Sequence, residues 1–454
     1  MKTKDTCTLK PCYANMHDWE FYSSNLSTEY QQSLEEGLDV AKYKELFAAS
    51  ALLPKNEIAK KLGDVLFEIV QTAPMREDYP YVEPSALEEI KALREPYAYQ
   101  KMPQTDLKSK VTGAWYGRIC GCMLGKTVEG IRTSELIPFL KESGNYPMHR
   151  YIYKTDITEE TAKKYTYPLA SREFADCIDG MPVDDDTNYM VLYQELIEKW
   201  GKDFTPLDVS KLWLAYQPKD AYCTAERVAF CNFVKGYVPP DSAVYQNPYR
   251  EWIGAQIRGD YFGYINPGNP ELAAEMAWRD ASVSHTKNGI YGEMFAAAML
   301  AVAAETNDIQ DIILGGLAQI PKTARLYQDV QHILQHYRSG GTKEACLAYI
   351  NTRYDEYTAH GWCHTIPNAM IVVMALLYGG GDYGKSVCMS VEAGFDTDCN
   401  GATVGSILGF ANGIESIPTY WTDPIQDTLY TAIFGLNQVK ISDRIAMTLK
   451  HIGI

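Results

Sequence analysis

The chain has 454 residues, 46% hydrophobic and 22% charged, a make-up that fits one large globular domain or a domain with an appendage. Its formal net charge of −16 excludes nucleic acid and anionic membrane as main partners, because neutralising phosphate needs a basic face; a small or cationic ligand suits it better. Eleven cysteines show no paired spacing, and Cys120, Cys122, Cys177, Cys223, Cys231 and Cys388 read as buried free thiols of a reducing cytoplasm. The first residues, Met1 to Met16, lack the apolar run of a signal peptide, and no stretch reaches the roughly 18 apolar residues of a membrane span.

Residues 1–105 read as a helical N-terminal extension, with 106–454 as the main domain. In the extension Ile58, Leu62, Val65, Leu66 and Ile69 form an apolar stripe after Asn56, and Ser85 with Glu88 makes a capping box. Pro74, Pro80, Pro84, Pro96 and Pro103 punctuate the rest, and the expected role is packing or oligomerisation, the oligomeric state being open. The main domain begins with Gly113, Gly117, Gly121 and Gly125. Glycine costs a helix interior about 1 kcal/mol against alanine, so four in register predict a face pressed against another backbone.

Glu129 follows at the exit of that helix, and on residue type alone it reads as a solvated acid. The tyrosine-rich stretch from Lys141 to Asp179 predicts irregular structure with a short hairpin, an insertion or a lid. Tyr189, Leu192, Tyr193, Leu196, Ile197 and Trp200 then recur at helical spacing, and Thr205-Pro206 starts a further helix. Residues 236–270 form a long Pro, Gly and aromatic-rich loop whose rings, with Arg250 and Arg258, are candidates to stack on a planar base and hold an anion; self-packing is the alternative. His285 precedes the Ala-rich helix from Ile290 to Ala304, Asp308 is a candidate cap, and His364 precedes the apolar run Met370 to Leu377.

Two acidic clusters stand out. Asp184-Asp185-Asp186-Thr187 opens the helix containing Tyr189, and Asp396-Thr397-Asp398-Cys399-Asn400 opens a small-residue helix some two hundred residues later. One aspartate per helix satisfies capping and the helix dipole. Five exceed that need, and a divalent cation is the usual remedy for crowded carboxylates, so capping with solvated charge and metal binding are both open.

The Gly-rich helix ending in Glu129, Asp185 to Thr187, Gly254-Ala255-Gln256-Ile257-Arg258, Ser284-His285 and Asp396 to Asp398 fall in an order that resembles the ADP-ribosylglycohydrolase family over roughly residues 106–425. The resemblance implies an all-α orthogonal helical bundle with a binuclear Mg2+ site in a cleft, to which this chain adds its N-terminal helical segment. It implies Asp184, Asp185, Asp186, Asp396 and Asp398 as metal ligands and Glu129, Asp186 and Asp398 as catalytic residues. His285 and Arg258 become substrate-binding residues. Where the family has a threonine after its second aspartate pair, this chain has Cys399, a poor magnesium ligand, so that water, Asn400 or Thr397 substitutes or the second ion is weakened. Phe395 stands where the family has glycine. The implied activity is hydrolysis of a glycosidic bond of an ADP-ribosyl or related ribosyl or glycosyl substrate; two-metal phosphoester hydrolysis and an inactive binding protein are the alternatives.

Overall fold

Glycine placed every fourth residue puts a row without side chains along one face of the Leu107–Lys126 helix, and the Thr397–Asn412 helix carries a matching row. In the computed structural model, which describes residues 11–102 and 106–454, the two rows lie against each other in antiparallel register. Gly113 meets Gly409, Gly117 meets Gly405 and Gly121 meets Gly401, and a Cβ added at any of them would fall inside 3.0 Å of the facing carbonyl oxygen. The register has one consequence for function. Gly125, the last of the row, lies on the backbone of Thr397 and Asp398, so the exit of the first helix is held at the entrance of the second. Thr397 Oγ1 closes the corner by donating to Gly125 O at 2.9 Å.

Around this pair the described residues are mostly helical. Every residue of the Asn288–Ala303 helix is buried, and it packs between Pro270–Ala281, Ile309–Leu317, Thr365–Gly379 and Thr397–Asn412. The strands among the described residues are the short antiparallel pair Thr428–Tyr430 and Gln438–Lys440, with Leu429 opposite Val439. Met181 extends that pair through Met181 N–H to Thr428 O and Tyr430 N–H to Met181 O, both 2.9 Å, which anchors the chain three residues before Asp184.

The Lys141–Asp179 stretch forms no hairpin. It holds short helical turns at Lys154–Asp156, Glu159–Lys164 and Leu169–Ser171, and it braces the exit of the Gly-rich helix: Tyr167 Oη donates to Glu129 O at 2.7 Å. The rings of the 236–270 segment are buried in the main core rather than facing a ligand: Phe262 stacks on Tyr193 and Phe204, Tyr264 meets Phe410 and Tyr261 meets His451, while Tyr249 packs on Trp252 within the segment. No disulfide is present among the described residues; Cys177 is exposed and Cys223 and Cys231 are half-buried, against the expectation of buried thiols. No described helix is long and apolar enough to cross a membrane.

The extension has its own small core of Tyr22, Leu26, Phe47, Leu66, Phe67 and Val70. Asn56 caps the Glu57–Thr72 helix as expected, its Oδ1 accepting from Ile58 N and Ala59 N at 2.9 and 3.0 Å. The buried face differs from the predicted stripe: Ile58 and Val65 are exposed, while Ala59, Gly63 and Phe67 are buried. The Ser85 capping box does not form, because Ser85 Oγ accepts from Lys287 N at 3.1 Å instead. Pro103 and the first ten residues lie outside the described residues.

Candidate metal centre

The antiparallel glycine contact fixes where the acids meet. Asp396 and Asp398 open the Thr397–Asn412 helix, Asp184 to Asp186 open the Asp185–Trp200 helix, and Glu129 follows the Leu107–Lys126 helix. Oxygens of Asp184, Asp185, Asp186 and Asp398 lie within 4.8 Å of one another, as do those of Glu129, Asp396 and Asp398. Asp398 is common to both sets.

Capping accounts for only one of these acids. Asp184 Oδ1 accepts from Asp186 N at 2.9 Å, and its Oδ2 accepts from Lys126 Nζ at 3.1 Å. Asp396 occupies the equivalent position on its helix and caps nothing. Asp186 is fully buried with Oδ1 on Arg118 Nη2 at 2.9 Å, and its Oδ2 has no partner; Asp398 Oδ1 is likewise buried and unpartnered. An orphaned carboxylate oxygen inside a protein costs roughly 1–3 kcal/mol or more, so the donor set fits a divalent cation.

The electrostatics agree. Burial and the neighbouring acids Asp184 and Glu129 hold Asp185 well above the usual carboxylate range, and burial with Glu129 and Asp396 does the same for Asp398. Asp396 is pushed up to about 7 by burial and by Glu129. Burial, only partly offset by Arg118, raises Asp186 well above its ordinary value. Burial and Asp184 raise Glu129.

Cys399 is buried, with Sγ within 4.8 Å of oxygens of Asp186 and Asp398. Burial and these acids push its thiol well up, so it stays protonated. Thr397 Oγ1 donates its hydrogen to Gly125 O at 2.9 Å and keeps its lone pairs. Asn400 Nδ2 donates to Asn368 Oδ1 at 2.8 Å, while Asn400 Oδ1 is buried without a partner. Phe395 takes the glycine-like position at φ +57, in the left-handed region, and its ring is fully buried.

Arg258 and His285 depart from expectation. Arg258 is fully buried and pairs with Asp280 and with Glu226 Oε1 at 2.7 Å, while donating to Ser284 Oγ at 2.9 Å. No donor is left for an anion. His285 is buried, its Nδ1 2.8 Å from Ser284 Oγ, and burial with Arg258 holds its pKa well below the ordinary value. Both belong to the interior. Arg250 is likewise taken, by Glu29 at 2.9 Å and by Glu36.

Three residues escaped the sequence reading. Arg118 joins Asp186 to Asp260, the latter at 2.7 Å, and so orients Asp186. Glu226 lines the same pocket as Glu129, Asp185, Asp396 and Asp398, with burial pushing it up to about 6 against the pull of Arg258. Trp19, from the extension, lines it too. An arginine inside a glycine row was a signal for the first; nothing local marked the others.

A second cluster, Glu35, His360 and His364, has metal-like spacing but the wrong tautomers. His360 Nδ1 accepts from Trp252 Nε1 at 3.1 Å and His364 Nδ1 accepts from Ile366 N at 3.2 Å. An imidazole whose Nδ1 accepts carries its hydrogen on Nε2, so both rings point N–H groups at carboxylates. His360 Nε2 donates to Glu35 Oε2 at 2.9 Å, and His364 Nε2 lies 3.7 Å from Glu251.

Fold and site together define an all-α protein with an acidic centre at converging helix ends. The chain belongs to the ADP-ribosylglycohydrolase family, whose model matches residues 103–449. The family is generally hydrolytic and metal-dependent. Among solved structures the chain is similar to one described as an ADP-ribosylglycohydrolase-related protein complex, at 16% identity over 76% of this chain and 98% of that one, with a TM-score of 0.46. No curated protein matches the chain.

Proposed function

We propose that the protein is a magnesium-dependent hydrolase that cleaves the glycosidic bond of an ADP-ribosyl or related ribosyl or glycosyl substrate. The observation that carries this reading is the pair of oxygen sets sharing Asp398, with Asp186 Oδ2 and Asp398 Oδ1 buried and unpartnered. Asp184, Asp185, Asp186 and Asp398 would hold one ion, and Asp396 and Asp398, with Glu129 beside them, a second; hard carboxylate oxygens suit Mg2+. When bound, divalent cations supply Lewis acidity and an anchor for sugar hydroxyls.

The chain's own groups do the rest. Glu129, its pKa raised, exchanges a proton at its carboxylate with the attacking water. The acids lining the pocket stabilise the positive charge that develops on the sugar ring as the leaving group departs. Asp186 lies beneath the pocket on Arg118, a place for ligation and positioning rather than proton transfer. Asp398 lines it directly.

Two-metal phosphoester hydrolysis is disfavoured, since no Lys, Arg or His is among the described residues lining the pocket. A binding role without turnover draws support from Cys399 alone. The test is a screen of ADP-ribosyl-arginine, ADP-ribosyl-serine, O-acetyl-ADP-ribose and simple nucleosides or glycosides with Mg2+. Release of free sugar, lost in Asp185→Ala, is the expected result. Inorganic phosphate as product favours the phosphoesterase, and absence of any heat on Mg2+ titration favours the binding protein.

A further inference from the structure

We propose that Cys399 is itself a metal ligand, its sulfur joining Asp185, Asp186 and Asp398 in a mixed set that takes a zinc-class divalent cation in preference to Mg2+; the proposal rests on the metal assignment of the hydrolase reading and changes the ion at the first of its two positions.

Sulfur borders the first set of acids on two sides. Cys399 Sγ lies within 4.8 Å of oxygens of Asp186 and Asp398, and Cys122 Sγ stands in the same relation to Asp184 and Asp186. The two thiols are placed differently. Cys399 lines the pocket together with Asp185 and Asp398, whereas Cys122 is fully buried and is not among the described lining residues.

The oxygens left free decide which ion suits the set. Asp184 has both of its own engaged, Oδ1 by Asp186 N–H at 2.9 Å and Oδ2 by Lys126 Nζ at 3.1 Å, so Cys122 sits beside a carboxylate already spent. Asp186 gives one oxygen to Arg118 at 2.9 Å and keeps Oδ2 buried and unpartnered; Asp398 Oδ1 is buried and unpartnered as well. These two orphaned oxygens, with half-buried Asp185, leave three carboxylates able to ligate. Mg2+ asks for about six hard oxygens in near-octahedral array. Zinc-class ions bind about four donors and accept thiolate readily, a demand that three carboxylates and Cys399 meet without Asp184.

The backbone favours the role. Cys399 follows Asp398 directly in the first turn of the Thr397–Asn412 helix, so sulfur and carboxylate are carried by one element, and a helix N-terminus stabilises a thiolate. On binding, the S–H bond breaks, its proton passes to solvent, and the sulfur lone pair forms the bond to the cation. The plain alternative is a thiol that only donates a weak hydrogen bond to these acids; it forms no sulfur–metal bond.

Co2+ is the probe, added at one equivalent to the metal-free full chain, with the near-ultraviolet sulfur-to-cobalt charge-transfer band as the readout. The parent is expected to show the band, Cys122→Ser to keep it, and Cys399→Ser to lose it. Cys399→Ser should also bind Co2+ at least about tenfold more weakly while binding Mg2+ no more weakly than the parent. Cys399→Thr serves the same purpose should the serine variant not fold. No band in the parent, a band intact without Cys399, or Co2+ and Mg2+ affinities that fall together overturns the proposal. Heat on Mg2+ titration without a sulfur band sinks the proposal and leaves the hydrolase reading standing. A band that depends on Cys399, in a protein that hydrolyses none of the glycosides, supports the ligand and sinks the hydrolase.

Discussion

Asp184 and Asp396 occupy the same position, one residue ahead of a helix, and are used differently. Asp184 spends its oxygens on a backbone N–H and on Lys126, whereas Asp396 bonds to no N–H of its helix. The difference explains why counting acids raised the metal question and could not answer it. Arg118 makes a sharper test of the buried charges. Arg118→Met would leave Asp186 and Asp260 both interior and unpaired, and removing one partner of a buried pair costs about 3–5 kcal/mol. Urea unfolding of the metal-free protein at neutral pH should show a loss of that size, partly restored by Mg2+. A loss near zero would mean that the arginine does not hold these carboxylates. At Cys399 the expected direction is a gain: Cys399→Thr supplies a hard oxygen where a protonated thiol now stands, so calorimetry should find tighter Mg2+ binding than in the parent.

At the scale of elements, the glycine rows bring the acids together. Propensity alone predicts that Gly→Ala stabilises a helix by up to about 1 kcal/mol. Gly117→Ala should do the reverse, because its Cβ meets Gly405 O, and overpacking costs typically about 1–3 kcal/mol. Gly384→Ala, where a Cβ meets only ordinary contacts beginning at 3.5 Å, serves as the comparison and should be neutral or stabilising. Thermal melts of the two variants should move in opposite directions, and Mg2+ affinity should fall only in Gly117→Ala. The glycine row was legible because a residue that weakens a helix needs a reason to recur. The Thr205 and Asp308 caps were legible from local chemistry, and both form. Ser85 was misread because the backbone N–H of Lys287, two hundred residues away, competes for its hydroxyl. The exposed Ile58 and Val65 were misread because the extension packs with a face rotated from its most apolar stripe. Glu226 and Trp19 carry no sequence signal at all, since their place in the pocket is made by tertiary contact.

For the whole molecule, protons and metal compete for one set of oxygens. Asp396 has a folded pKa of about 7 against an ordinary value of 3.8. A carboxyl raised in this way contributes stability that is complete below the ordinary value and is lost as pH rises through about 7. The metal-free protein should therefore lose Tm from pH 5 to 8, while the Tm increment given by Mg2+ grows over the same window. Glu35 acts in the opposite sense. Burial tends to raise it, but the hydrogen bond from His360 holds it at about 2, so its contribution is lost only as pH falls from 4.5 through about 2, outside that window. A Mg2+ increment that stays flat from pH 5 to 8 would show that these carboxyls do not bind the ion.

The central claim is that carboxylates from helix ends far apart in the chain converge on divalent cations. Anomalous diffraction from crystals grown with Mn2+ in place of Mg2+ locates such ions directly. Peaks within ligand distance of Asp185, Asp186, Asp396 and Asp398 are predicted. A map without density there, in which Asp186 and Asp398 instead share protons with each other or with Cys399, would contradict the claim.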